Sequence, residues 1–210
     1  MNGIADPEHT ITSVEQLERI YTPVNPNSLM KEVDYVHPHY RKMIEAAPFV
    51  AIASVGAEGM DCTPRGDHPG FVRVVDDRTL MLPDRRGNNR IDTLRNIVRD
   101  PRVALLFLIP GVGETLRVNG RAAISIDPAL LESFAVEGKL PRSVLVVTVE
   151  RVYFQCSKAL VRSKLWDASQ QVPRSALPST GTMIATLSKG AVDGAAYDRE
   201  LPIRMPQQLW

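Results

Sequence analysis

Apolar residues in this chain fall mostly into short runs with a two-residue period, separated by turn signals. Phe49 to Val55 (FVAIASV) reads as a strand closed by the turn AEG. Asp61 to Asp67 (DCTPRGD) predicts a second strand, at an edge or a bulge because Pro64 cannot donate to a ladder. Phe71 to Val75 and Thr79 to Leu82 flank Asp76-Asp77 and predict a hairpin. Val103 to Ile109 (VALLFLI) is apolar on both faces, which places it as a central buried strand. From Glu114 to Ala122 the alternation is clean. Leu116, Val118, Gly120 and Ala122 face one way, and Thr115, Arg117, Asn119 and Arg121 face the other. Ser143 to Phe154 is a further long strand.

Helical spacing is rarer. Ser13 and Gln16 form a capping box ahead of Val14, Leu17 and Tyr21, and Pro23 and Pro26 end that helix. Pro38 to Ala47 predicts a second helix, with Tyr40, Met43, Ile44 and Ala47 on one side. Asn88 or Asn89 caps a third, whose stripe is Ile91, Leu94, Ile97 and Val98 and whose stop is Asp100-Pro101. Asp127-Pro128 opens a short helix ending near Gly138, and Ser157 to Trp166 (SKALVRSKLW) is helical. After Gln170 only Met183 to Ser188 reads as ordered, and LPIRMPQQLW as an extended arm. About six strands with single inserted helices do not match alternating βαβ units. They predict a mainly β fold, an antiparallel barrel with peripheral helices. The domain plan is a helical arm over 1–40, a barrel over 41–166, and an extension over 167–210 that packs on the barrel or on a dimer partner.

Lys and Arg number 25 against 24 Asp and Glu among 210 residues. A net charge of +1 gives no general attraction for nucleic acid or an anionic membrane, so neither is expected as a partner. No apolar run has the length of a membrane span, and MNGIADPEHT lacks an apolar signal core. Cys62 and Cys156 form no CxxC or metal spacing. They read as small buried fillers in a reducing cytoplasm, where the protein is expected to reside.

Basic charge is concentrated locally instead. In Leu80 to Arg90 (LMLPDRRGNNR), three arginines, Gly87 and two asparagines fall within six residues, just before a helix. Arginine forks pair bidentately with phosphate oxygens, and a helix N-terminus adds free N–H donors. The alternative for this loop alone is a solvated basic turn. Gly111 and Gly113 lie between two strands and lack a third glycine, which excludes a dinucleotide fingerprint. His37 and His39 have no third ligand nearby and read as a surface turn, so no metal is expected. RGD at Arg65 carries little weight in a chain of this type.

Four segments in order, TPRGD, LPDRRGNNR, ETLRVNG and CSKALVRSKLW, resemble the FMN-binding split-barrel family of pyridoxamine 5′-phosphate oxidase-like proteins. The likeness runs from about Arg41 to Trp166 and points to a flavoprotein subgroup with the pattern TPRGD, LPDRxGNNR, CxKAxxRSxLW. It implies a six-stranded antiparallel split barrel and a homodimer, with FMN between the subunits. Arg65 and Arg90 would hold the phosphate, with Arg85, Asn88 and Asn89 close by and Gly66 and Asp67 beside Arg65. The backbone at Pro83 and Asp84 would run along the isoalloxazine ring, with Thr115 on a strand face that could line the pocket. Ser157, Lys158, Arg162, Ser163 and Trp166 would reach the flavin from the second subunit. Lys158 or Arg162 would stabilise the reduced anionic ring. Trp166 either packs on the ring edge or anchors core or interface.

The chain departs from the true oxidases of that family. The Arg-x-His element that grips the vitamin B6 phosphate is missing, since no histidine follows Trp166, and Gly66-Asp67 stands where those oxidases carry a lysine. The expected function is therefore hydride or electron transfer through flavin N5 to an unknown small substrate. No residue stands out as its acid or base. Competing readings are a non-enzymatic flavin-binding or storage protein, a deazaflavin user, and a haem-binding split barrel with His68 as the axial ligand.

Overall fold

The computed structural model describes residues 6–57 and 59–210. Met1 to Ala5 of the expected N-terminal arm and Glu58 of the AEG turn lie outside the described residues. The chain forms two compact units, Met1–Glu32 and Val33–Trp210. The first holds helices α1 (Val14–Ile20) and α2 (Pro26–Met30). The Ser13 side chain caps α1 by accepting from the Gln16 N–H, as the capping box predicts, and Asn25 caps α2.

The second unit runs α3 (Pro38–Ala46), β1 (Phe49–Gly56), β2 (Gly59–Gly66), β3 (Arg73–Val74), β4 (Thr79–Asp84), α4 (Asp92–Arg99), β5 (Arg102–Leu108), β6 (Thr115–Ser125), α5 (Pro128–Ser133), β7 (Ser143–Gln155), α6 (Lys158–Ser163), α7 (Thr180–Leu187) and α8 (Gly194–Arg204). The strands form one antiparallel sheet in the order β2-β1-β5-β6-β7-β4-β3.

This corrects the expected six-stranded barrel. The sheet has seven strands and is not closed into a barrel; β2 and β3 are its edges. Pro64 removes a donor from β2, and β3 is only two residues long, so neither edge offers a full ladder. Pro64 therefore lies on an edge strand, as its chemistry requires.

Alternation along the strands builds the core. Val50 and Ile52 of β1, Leu105 and Phe107 of β5, Leu116 and Val118 of β6 and Val147 of β7 are buried, with Ile44 of α3 and Ile97 of α4 packed among them. β5 is central, but only one of its faces is fully buried. Ala104, Leu106 and Leu108 remain partly exposed on the face turned from the core. Gly120 marks a register shift between β6 and β7, where a Cβ would lie 2.1 Å from the Thr148 carbonyl oxygen.

Three further expectations are corrected. The helix after the arginine loop starts at Asp92, not at an asparagine cap: Ile91 is the cap residue, in the left-handed region at φ 52°. Asn89 is left-handed too, and the Asn88 side chain accepts from the Arg90 N–H, so the asparagines shape a loop instead of a helix end. LPIRMPQQLW is not extended. Leu201 to Arg204 belong to α8, and Pro206–Gln208 form a 3₁₀ turn. The physical cause is a close crossing of α7 and α8, where a Cβ on Gly181 would meet the Gly194 carbonyl oxygen at 2.0 Å. Asp198 closes the pair by accepting from the Gly181 N–H and the Ser179 hydroxyl. Cys62 and Cys156 are free and exposed, not buried fillers.

Candidate functional site

Antiparallel pairing of β4 with β7 sets Pro83 opposite Val144 and Asp84 opposite Ser143. The chain leaves β4 there and crosses towards β2 before α4 begins. Between the β2 edge, the end of β4 and the first turn of α4 lies a groove of about 750 Å³, within the range typical of ligand sites. Five arginines (Arg65, Arg85, Arg86, Arg90 and Arg142) line it against three aspartates, Asp61, Asp84 and Asp92. Phe71, Pro83, Ile91 and Leu94 supply apolar wall.

Arg65 is held from its own strand and from the end of β4. Its Nη1 donates to the Thr63 hydroxyl at 3.3 Å and to the Pro64 carbonyl at 3.1 Å, and its Nη2 lies 3.7 Å from Asp84 Oδ1. Thr63 in turn meets the buried Thr93 hydroxyl at 3.0 Å, which ties β2 to the start of α4. Asp84 is largely buried. That burial pushes its carboxyl above the ordinary range, while Arg65 and Arg142 pull the other way.

Arg85 is committed elsewhere. Its Nε donates to Asp67 Oδ2 at 2.7 Å and its Nη1 to the Phe134 carbonyl at 2.7 Å. The Asp67 side chain is only 2 % exposed, so this is a shielded pair. Arg90 is the opposite case, with a side chain 76 % exposed and its Nε on Asp92 at 2.8 Å. It precedes the helix by two residues instead of standing at its start as expected. Arg142 donates to Asn89 Oδ1 at 2.8 Å.

Of the residues singled out from sequence, Arg65, Gly66, Pro83, Asp84, Arg85, Asn88, Asn89 and Arg90 line this groove, with Asp67 directly behind Arg85. Thr115, Ser157, Lys158, Arg162, Ser163 and Trp166 do not line it. Thr115 is buried and donates to Gln155 at 3.3 Å. Ser157 packs against Gly113, and Trp166 Nε1 donates to the Val112 carbonyl at 2.8 Å. Ser143 opens the thirteen-residue β7 beside the groove, whereas Ser157 follows its far end, about 40 Å of extended chain later. Sequence reasoning missed Arg142, because one arginine between a proline and a strand carries no local pattern. It also missed Thr63 and Thr93, whose contact joins residues thirty apart. Among the described residues no cluster of three His, Cys, Asp or Glu could hold a metal, and no helix is long and apolar enough to cross a membrane.

Residues 36–156 match the family model described as pyridoxamine 5′-phosphate oxidase. A comparison with curated proteins finds no match. Similar solved structures include HupZ from Group A Streptococcus, at 19 % identity and TM-score 0.48, covering 58 % of this chain and 94 % of that one. A putative pyridoxamine 5′-phosphate oxidase from Lactobacillus delbrueckii is 21 % identical with TM-score 0.45, covering 59 % and 99 %. A protein related to general stress protein 26, from Clostridium acetobutylicum, is 16 % identical with TM-score 0.43, covering 56 % and 86 %.

Proposed function

The chain belongs to the pyridoxamine 5′-phosphate oxidase family, and from that premise we propose that it is an FMN-binding flavoprotein that acts as an oxidoreductase on a small substrate other than a vitamin B6 phosphate. The observation that carries this reading is the arginine-lined groove between β2, β4 and α4. Its donor set fits a terminal phosphate. Arg65 is pre-organised by Thr63 and the Pro64 carbonyl, Arg86 and Arg142 have no carboxylate within ion-pair distance among the described residues, and the α4 start adds backbone donors.

Arg65, Arg90 and Arg142 would hold the phosphate, and the loop through Asn88 and Asn89 would wrap it. Pro83 and Asp84 would border the ring. When bound, the flavin supplies hydride or electron transfer. Asp84 holds a proton more readily than an exposed carboxylate does, and it does so at the groove wall.

The second half of the reading is a homodimer with the cofactor between subunits. Ser157, Lys158, Arg162, Ser163 and Trp166 stand apart from the groove of their own chain, so in this reading they serve the groove of a second copy. The sheet face turned from the core suits such a contact. Phe49, Ala51, Leu106 and Leu108 are partly or fully exposed on it, and the buried Asn119 Oδ1 has no hydrogen-bond partner among the described residues.

Titration of the purified protein with FMN, riboflavin and FAD, followed by visible absorbance, tests the first half. FMN should bind far more tightly than riboflavin; equal binding would remove the phosphate site. Stopped-flow reduction by NADH or NADPH then separates an enzyme from a storage protein, since a storage protein should be reduced no faster than free FMN.

A further inference from the structure

Arg85 sits at a junction of four segments. Its guanidinium joins the 85–91 loop to Asp67 at the end of β2 and to Phe134 after α5, and its carbon Cζ lies 5.4 Å from the ring centre of Trp210. Trp210 also stacks on His68, with ring centres 5.5 Å apart and planes 30° apart. His68 is itself tied to the pair, since its backbone N–H donates to Asp67 Oδ1 at 2.6 Å. One half-buried indole therefore stands over Arg85 and over His68, the neighbour of Asp67, beside a shielded Asp67–Arg85 ion pair 125 residues or more away in sequence.

We infer that Trp210 is a positioning residue for the phosphate loop: it seats on Arg85 and His68 and holds Arg85 on Asp67, which fixes the place of residues 86–90 along the groove. The inference rests on the FMN reading above. The chemistry is direct. A guanidinium against an aromatic face gains electrostatic attraction, and a cover that excludes water strengthens the charge-assisted bond beneath it. The loop needs such an anchor, because Gly87 has no atom within 4 Å of the place where a Cβ would sit, and Arg86 has no partner among the described residues. Without the indole, Asp67–Arg85 becomes a wetter and weaker pair, and Arg86, Asn89 and Arg90 lose their fixed starting point. The loss falls on recognition of the phosphate, not of the ring.

The test uses the full chain carrying Trp210→Ala or Trp210→Phe. Binding of FMN and of riboflavin is measured side by side, with the melting temperature of the apoprotein. Trp210→Ala should lower the FMN-to-riboflavin affinity ratio, by up to about tenfold, with riboflavin binding and apoprotein melting nearly unchanged. Trp210→Phe should restore most of the ratio. In an Arg85→Gln background, Trp210→Ala should lower it no further. The inference is overturned if Trp210→Ala leaves the ratio unchanged, or weakens both flavins equally as the melting temperature falls. A wild-type ratio near one is a different failure: it removes the phosphate site itself, and this inference with it.

Discussion

Sequence pattern alone weights Arg65 and Arg90 equally as phosphate ligands, but their surroundings predict very different losses on replacement by alanine. The Arg65 side chain is 25 % exposed and already held by two hydrogen bonds, so little further ordering is needed to bind an anion. A charge-assisted bond from such a donor contributes about 1.5–3 kcal/mol. Arg65→Ala should therefore weaken FMN binding roughly ten- to hundredfold. Arg90 is 76 % exposed and must give up Asp92 to reach a ligand. Exposed pairs of that kind contribute about 0.2–1 kcal/mol, so Arg90→Ala should cost no more than about fivefold. Arg99, exposed at the last residue of α4, serves as the control. The assay is quenching of flavin fluorescence on titration, run for FMN and riboflavin at low and moderate salt. Arg65→Ala also removes one of the two cations opposing the burial of Asp84. The Arg65→Ala/Asp84→Asn double variant therefore separates lost phosphate contact from the penalty of a largely buried carboxylate deprived of that cation. The reasoning is refuted if Arg99→Ala matches Arg65→Ala, or if Arg65→Ala weakens riboflavin as much as FMN.

Asp84 has a folded-state carboxyl raised by burial, so its contribution to stability is full below the ordinary carboxylate value and is lost as pH rises through the raised one. Asp84→Asn should accordingly gain in melting temperature over wild type between pH 4 and pH 7, and a difference constant across that window would count against the assignment. Flavin binding and dimerisation should be linked, because a cofactor held by two chains binds only the dimer. Sedimentation over a dilution series should show FMN stabilising the dimer and Trp166→Ala weakening both; a monomer with full FMN affinity would break the shared-site model. Gly120→Ala should force β6 and β7 apart where the added Cβ meets the Thr148 carbonyl oxygen, at a cost of about 1–3 kcal/mol. Thermal unfolding checks this, and an unchanged melting temperature would show that the bulge relaxes freely.

Local pattern carried much of the architecture. The two-residue alternation of Leu116, Val118, Gly120 and Ala122 marks the buried face of β6, because a strand can bury one side only by that spacing. Pro64 indicates an edge strand because it lacks an N–H, and Ser13 opens α1 because its hydroxyl satisfies a free helix donor. The clustered arginines mark the groove for the same reason: like charges gathered within six residues need an anion or a set of carboxylates nearby. Such rules act within a few residues and can be read directly.

What the tertiary structure decided acts over longer separations. Whether the sheet closes depends on how β2 and β3 meet neighbours that no local spacing encodes, and the result is an open seven-stranded sheet. Beyond the ordered stretch read at Met183 to Ser188, the start of α7 and all of α8 escape a reading based on proline, serine and glycine content, because the crossing of the two helices depends on two glycines thirteen residues apart meeting backbone to backbone. Among the arginines, sequence shows the charge but not its use. Arg85 is consumed by Asp67, Arg90 lies in solvent beside Asp92, and Arg142 joins the groove from the start of β7. Charge type is a property of each residue alone, whereas burial, pairing and reach are set only when distant segments pack. That is why the local concentration of positive charge was legible in the sequence, and the partner of each arginine was not.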